Sequence, residues 1–180
     1  ERMNECEVIF FALPHGTSAS YIKQLNSNIK VIDLGADFRL ENEAKWQKYY
    51  GGTYSGSATY AMPESPGMRA RIGQSNIVAN PGCYATAITL GAMPALSHSL
   101  IDSQNIVVVA ASGTTGAGRS AKINLIASEV ANSLTSYKFG GVHQHTPEIE
   151  QALGKISNGD VRISFTPILA PIPRGILATI

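Results

Sequence analysis

The chain has 180 residues and a formal net charge of +1, from 14 Lys and Arg against 13 Asp and Glu. That length holds one sizeable domain, or one domain with part of another. The balanced, scattered charge excludes the clustered basic footprint of a nucleic-acid or membrane-surface binder, and no stretch reaches the about 18 consecutive apolar residues of a membrane span. Two cysteines do not make a disulfide framework and read as reduced thiols of a cytoplasmic protein.

In chain order, short apolar runs of strand type fall at residues 8–13, 31–34, 77–79, 106–111 and 161–165. Helices are predicted between several of them. One spans 18–25, one spans 41–50 with Trp46 on its apolar side, and a long buried one spans 85–100. Ile123, Ile126, Ala127 and Val130 follow a near-helical repeat and predict a helix over 120–134. A last helix begins at Thr146, read as N-cap, with Pro147 at the first helical position. The alternation predicts an α/β protein. Residues 51–73, rich in Gly, Pro and Ser, read as a long loop or a crossing between two units. Apolar runs lie close to both ends, at 8–13 and 175–180, which predicts a piece of a longer chain.

Three segments carry residues suited to chemistry. In Asn80-Pro81-Gly82-Cys83-Tyr84 a strand enters a turn, and Cys83 falls at the first turn of the following helix. Free N–H groups and partial positive charge there lower a thiol pKa from its free value of about 8.5. The same N–H groups suit the oxyanion formed when a thiolate attacks a carbonyl. Cysteine is also among the most buried residue types, so the sequence leaves Cys83 open between nucleophile and core thiol. Cys6 has no comparable setting. A thiol nucleophile needs an acid/base group, and His143 and His145 offer one between the glycine pair 140–141 and Pro147. His-x-His also suits a metal, but no third ligand stands at a useful spacing, and no metal site is expected.

The loop Ser112-Gly113-Thr114-Thr115-Gly116-Ala117-Gly118-Arg119-Ser120 nearly matches the phosphate-binding pattern, with Arg119 in place of lysine. The substitution argues against a triphosphatase. Small residues at a helix N-terminus followed by an arginine still suit a phosphate or carboxylate. Leu13-Pro14-His15-Gly16-Thr17-Ser18 is a strand end running into a helix, the usual ligand position in an open α/β sheet.

Together these runs, with 33–39, 165–167 and 173–177, resemble the N-acetyl-gamma-glutamyl-phosphate reductase family, of the aspartate-semialdehyde dehydrogenase superfamily. The resemblance implies the end of a Rossmann-type NADP-binding domain over 1–81. It implies an α+β catalytic and dimerisation domain with a mixed sheet over 82–180. It further implies NADPH-dependent reduction of N-acetyl-L-glutamyl 5-phosphate to the 5-semialdehyde, in arginine biosynthesis, through a thioester on Cys83 that releases phosphate. His143 or His145 would be the acid/base group, with His143 favoured. Arg119, Arg174 and Tyr84 would contact substrate, and His15, Ser18, Gly113 and Gly116 the NADP(H). A homo-oligomer, dimer or tetramer, is implied. The family's glycine-rich dinucleotide fingerprint is expected upstream of Glu1, and its closing segment beyond Ile180. Departures from the family pattern stand at Ala85, where it has proline, at Ala61-Met62, and at Gln144, where it has arginine. The competing expectations are a Cys/His thiol hydrolase or acyltransferase without nucleotide, and a non-enzymatic phosphate-binding module.

Overall fold

The computed structural model describes residues 2–118, 120 and 122–180. The chain divides into two compact units, Glu1–Gly82 and Cys83–Ile180. In the first unit, strands β1 (Val8–Phe11), β2 (Lys30–Asp33), β3 (Thr59–Tyr60) and β4 (Ile77–Ala79) form a parallel sheet in the order β1-β2-β4-β3. Helix α1 (Ser18–Ile22) joins β1 to β2, and α2 (Glu43–Tyr49) and α3 (Met68–Gln74) precede β3 and β4. Asn42 caps α2 by accepting a hydrogen bond from the Lys45 N–H at 2.9 Å. Trp46, 2% exposed, packs with Ala36 and Leu40, as its place on the apolar side predicts.

The second unit is built on a mixed sheet. Helix α4 (Cys83–Ser97) leads to β5 (Ile106–Ser112), then a short α5 (Ala127–Val130) and β6 (Thr135–Ser136). Helix α6 (Thr146–Ser157), β7 (Ile163–Leu169) and β8 (Ile176–Thr179) complete it. The strand order is β6-β7-β5-β8, with β5 parallel to β7 and antiparallel to β8, and β6 antiparallel to β7. On α4 the buried residues Tyr84, Ile88, Ala92 and Leu96 recur every four positions. They form one core with Ile106, Val108 and Ala110 of β5 and with Ile149 and Leu153 of α6. Each large apolar side chain buried there contributes about 1.5–3 kcal/mol relative to an exposed one. The fold is α/β with a mixed second sheet, as the sequence predicts.

Three local expectations need correction. Residues 51–73 are not only a loop, since β3 and the start of α3 lie within them. The helix expected over 120–134 is reduced to a 3₁₀ turn at Ile123–Leu125 and the four residues of α5. Ile126 between them is extended, and Ile123 is 82% exposed. Of the apolar stripe only Val130 is buried, which leaves so short a helix little support. Thr146 is the first residue of α6 rather than its cap; His145 holds the cap position and its side chain makes no capping bond.

Candidate active site

The parallel strand β4 delivers the chain through Asn80, Pro81 and Gly82 to Cys83, the first residue of the 15-residue helix α4. Cys83 is exposed and not in a disulfide. Its side chain therefore stands at the positive end of a helix and within reach of solvent, a setting that favours a thiolate.

The next residue ties this helix end to the histidine pair. The Tyr84 ring, 2% exposed, meets His143, His145 and Phe165 edge-on, at centroid distances of 5.4, 6.1 and 5.1 Å. The two imidazoles lie 4.9 Å apart. Tyr137 closes the cluster, with its ring 5.9 Å from His143 and its hydroxyl 2.9 Å from that of Tyr84. Burial pushes both phenols above their ordinary range. Tyr84 also directs its hydroxyl to the Ile168 carbonyl at 3.5 Å. Its oxygen is thus engaged within the fold.

The two histidines have different surroundings. His143 is 4% exposed, and its Nδ1 accepts a hydrogen bond from the His145 backbone N–H at 3.0 Å. The neutral ring then carries its proton on Nε2, as that bond assigns it. Burial, and after it the charges of His145 and Lys138, lower the His143 pKa from 6.5 to about 3. His145 is half-buried and holds the cap position of α6. Gln144 accepts from the Lys138 ammonium at 2.6 Å.

Because His143 binds its proton far more weakly when folded, the unfolded chain holds more protons between pH 6.5 and about 3. Stability contributed by this group is present above pH 6.5 and is lost as pH falls toward 3, at no more than about 1.4 kcal/mol per pH unit. Urea unfolding at a series of pH values should show this slope, and His143→Gln should flatten it.

The loop after β5 differs from its sequence reading. The N–H groups of Gly113, Thr114 and Thr115 donate to the carbonyls of Gly175, Ile172 and Pro173 at 2.9, 3.0 and 3.1 Å. Those of Gly116 and Gly118 are also bonded within the loop. The first three of these N–H groups thus fasten the loop to the segment before β8. Gly113 is buried, and a Cβ there would lie 2.7 Å from the Arg174 backbone nitrogen. Its glycine permits that close approach. Gly116 is exposed, with room limited by Ser112 Oγ at 3.2 Å from a notional Cβ. Arg174 is exposed on the clamped segment, and Arg119 lies outside the described residues. An open depression beside the loop is lined by Thr115, Ser120, Lys122 and Ile126.

In the first unit His15 is exposed at the carboxyl end of the parallel β1, and its Nδ1 accepts from the Ala36 N–H at 3.2 Å. Ser18, in contrast, is 1% exposed, with its hydroxyl 2.9 Å from Asp33 and 3.0 Å from Asp37. The Ser18 hydroxyl is thus engaged by two buried carboxyls.

The family model described as the semialdehyde dehydrogenase NAD-binding domain matches residues 1–73, and that of the dimerisation domain matches residues 83–180. The chain belongs to the semialdehyde dehydrogenase family. The N-acetyl-gamma-glutamyl-phosphate reductase of Acidothermus cellulolyticus is 57% identical over 98% of this chain and 52% of its own length. That of Thermobifida fusca is 51% identical over 96% of this chain and 50% of its own. The chain spans about half the length of the curated relatives it matches. Aspartate semialdehyde dehydrogenase II from Vibrio cholerae shares the fold with a TM-score of 0.65 at 16% identity, over 97% of this chain and 55% of that one. The enzyme from Candida albicans, solved with NADP, gives 0.57 at 13% identity, over 97% and 49%. The family read from the cysteine and histidine motifs is thus the one the comparisons return.

Within this family member the structure brings Tyr84, His143 and His145 into one cluster at the Cys83 end of α4. Sequence reasoning missed Tyr137, which carries no motif, and Asp37, although Asp33 and Asp37 flank a glycine at a strand end. Among the described residues no group of three potential metal ligands is gathered, and no helix is long and apolar enough to cross a membrane.

Proposed function

We propose that the gene product carrying this sequence is an NADPH-dependent reductase of N-acetyl-L-glutamyl 5-phosphate, acting in arginine biosynthesis. In this reading residues 1–81 contribute to the NADP-binding Rossmann-type domain and 82–180 to the catalytic domain. The observation that carries the reading is the placement of Cys83 at the N-terminus of α4, with its neighbour Tyr84 packed on both histidines. The nucleotide-binding family assignment of residues 1–73 favours it over a hydrolase that needs no nucleotide.

In the proposed reaction the Cys83 thiolate attacks the acyl carbon of the substrate. The bond from that carbon to the phosphate oxygen breaks, phosphate leaves, and a thioester forms on Sγ. N–H groups at the start of α4 stabilise the oxyanion of each tetrahedral species. The nicotinamide cofactor, when bound, supplies the hydride that reduces the thioester carbonyl. Cys83 then departs as thiolate and the semialdehyde is released. His145 is our choice of acid/base group in place of His143. A ring that stays neutral to about pH 3 and is 4% exposed is poorly matched to proton exchange near neutrality. His143 instead orients the pair through its Nδ1. Arg174 and Arg119 are proposed for the anionic groups of the substrate. Of the residues expected at the cofactor, His15 fits best, exposed at a strand end where open parallel sheets bind ligands. Gly116 is exposed in the second unit and stays in the proposal.

The test is phosphate-dependent formation of NADPH from NADP⁺ and N-acetylglutamate semialdehyde. Turnover that needs no phosphate, or none at all, would sink the reading.

We place the enzyme in the cytoplasm, where Cys83 stays reduced, and as a homodimer. The face of the mixed sheet opposite its helices presents Val107, Val109 and Leu177, which are 56%, 42% and 73% exposed. The family model matching this unit is described as a dimerisation domain, and a second copy is the proposed cover. Val109→Glu is expected to halve the molar mass in sedimentation, since an exposed site tolerates the change to within about 0.5 kcal/mol. A mass unchanged by Val109→Glu would exclude this face.

A further inference from the structure

We propose that Asp37 is a positioning residue that holds the loop 13–18 and, through it, the His15 ring in the conformation that receives the cofactor. The inference rests on the proposed use of a nicotinamide cofactor at this loop. Asp37 is 1% exposed, yet it reaches three donors of the loop and helix beyond β1. Its Oδ1 accepts from the Gly16 N–H at 2.6 Å, and its Oδ2 accepts from the Ala19 N–H at 3.2 Å and stands 3.0 Å from Ser18 Oγ. Thr17, the residue at the cap position of α1, makes no side-chain capping bond. Asp37 therefore does the capping from 18 residues away in the chain.

The adjacent residue completes the lock. The N–H of Ala36 donates to His15 Nδ1 at 3.2 Å, and the His15 ring meets Tyr50 edge-on at 5.4 Å. This bond selects the tautomer whose proton sits on Nε2, so the ring presents a donor at its other nitrogen. Gly16, at φ +83, supplies the left-handed turn that lets its own N–H face Asp37.

Ser18 has one hydroxyl proton and two carboxyl neighbours. Burial pushes the Asp33 carboxyl upward, against the bonds it receives from Gly35 and Ser18. The Ser18 hydroxyl lies within hydrogen-bond distance of both carboxyls, 2.9 Å from Asp33 and 3.0 Å from Asp37. The loop is thus tied to the end of β2 and the turn beyond it by hydrogen bonds to two buried carboxyls, and buried polar bonds are the kind whose loss costs most.

The test uses the full gene product and NADPH fluorescence titration. Asp37→Asn keeps one acceptor and the shape but removes the other, and is expected to raise the NADPH Kd about tenfold. In the same variant KM for NADPH should rise in step while kcat at saturating cofactor changes far less. Nitrogen-15 NMR of the imidazoles should show His15 losing its fixed Nε2–H tautomer. Gly16→Ala, in open space on the surface, strains the same turn without touching the buried carboxyls and should raise the Kd in the same direction. An unchanged NADPH Kd in either variant would overturn the proposal, as would a weakened Kd with the His15 tautomer intact. Failure of the functional reading shows separately, as NADPH binding without turnover of the acyl phosphate.

Discussion

Cys83→Ser is expected to lower turnover by about four orders of magnitude or more, because it removes the nucleophile and not merely a contact. Serine keeps the shape and the place at the helix terminus, so the folded structure is retained. Cys83 is exposed, and the midpoint of urea unfolding should move by no more than about 0.5 kcal/mol of stability. Steady-state NADPH formation and urea unfolding on the same preparation separate the two effects. A serine variant with a tenth of the activity would mean that Cys83 assists rather than attacks.

The second large effect is at His145. His145→Gln should reduce kcat by about 10²–10⁴-fold, the usual contribution of a positioned acid/base group, and should remove one limb of the pH–rate profile. His143→Gln should behave differently. It leaves the pH–rate limb in place and registers first in stability, since it puts an amide where a buried imidazole now packs between Tyr84, Tyr137 and Phe165. Its cost is about 1–3 kcal/mol, the range for disturbing a buried polar group. Profiles measured on both variants decide which histidine moves the proton. A lost limb in His143→Gln with a retained limb in His145→Gln would reverse the assignment.

The position of Cys83 at a helix start was readable in the sequence because it depends on neighbours in the chain. Ile77 to Ala79 make a strand, Pro81 and Gly82 make the turn, and Cys83 must then open the next helix. The start of α6 was readable within one residue for the same reason, from Thr146 and Pro147. The strand and helix alternation also carried the fold class, since burial of β4 and α4 leaves apolar runs of recognisable period.

What could not be read depends on contacts between distant segments. Asp37 reaches Gly16 across 21 residues and Tyr137 reaches Tyr84 across 53, and neither pairing leaves a local pattern. Gly113 looked like a glycine of a phosphate loop, whereas its space is filled by the Arg174 backbone. The repeat at Ile123, Ile126 and Val130 had helical spacing, but only Val130 is buried, while Ile123 and Ile126 stay exposed. Ser18 looked like a ligand donor at a helix start, and only the fold turns Asp33 and Asp37 onto it.

The most direct test of the central claim is to trap the covalent intermediate. The gene product is mixed with N-acetylglutamyl phosphate without NADPH, quenched in acid, digested and examined by mass spectrometry. An acyl adduct on the peptide containing Cys83, formed with one equivalent of phosphate and lost on adding NADPH, is the predicted result. Release of phosphate with no adduct, or an adduct carried elsewhere, would contradict it.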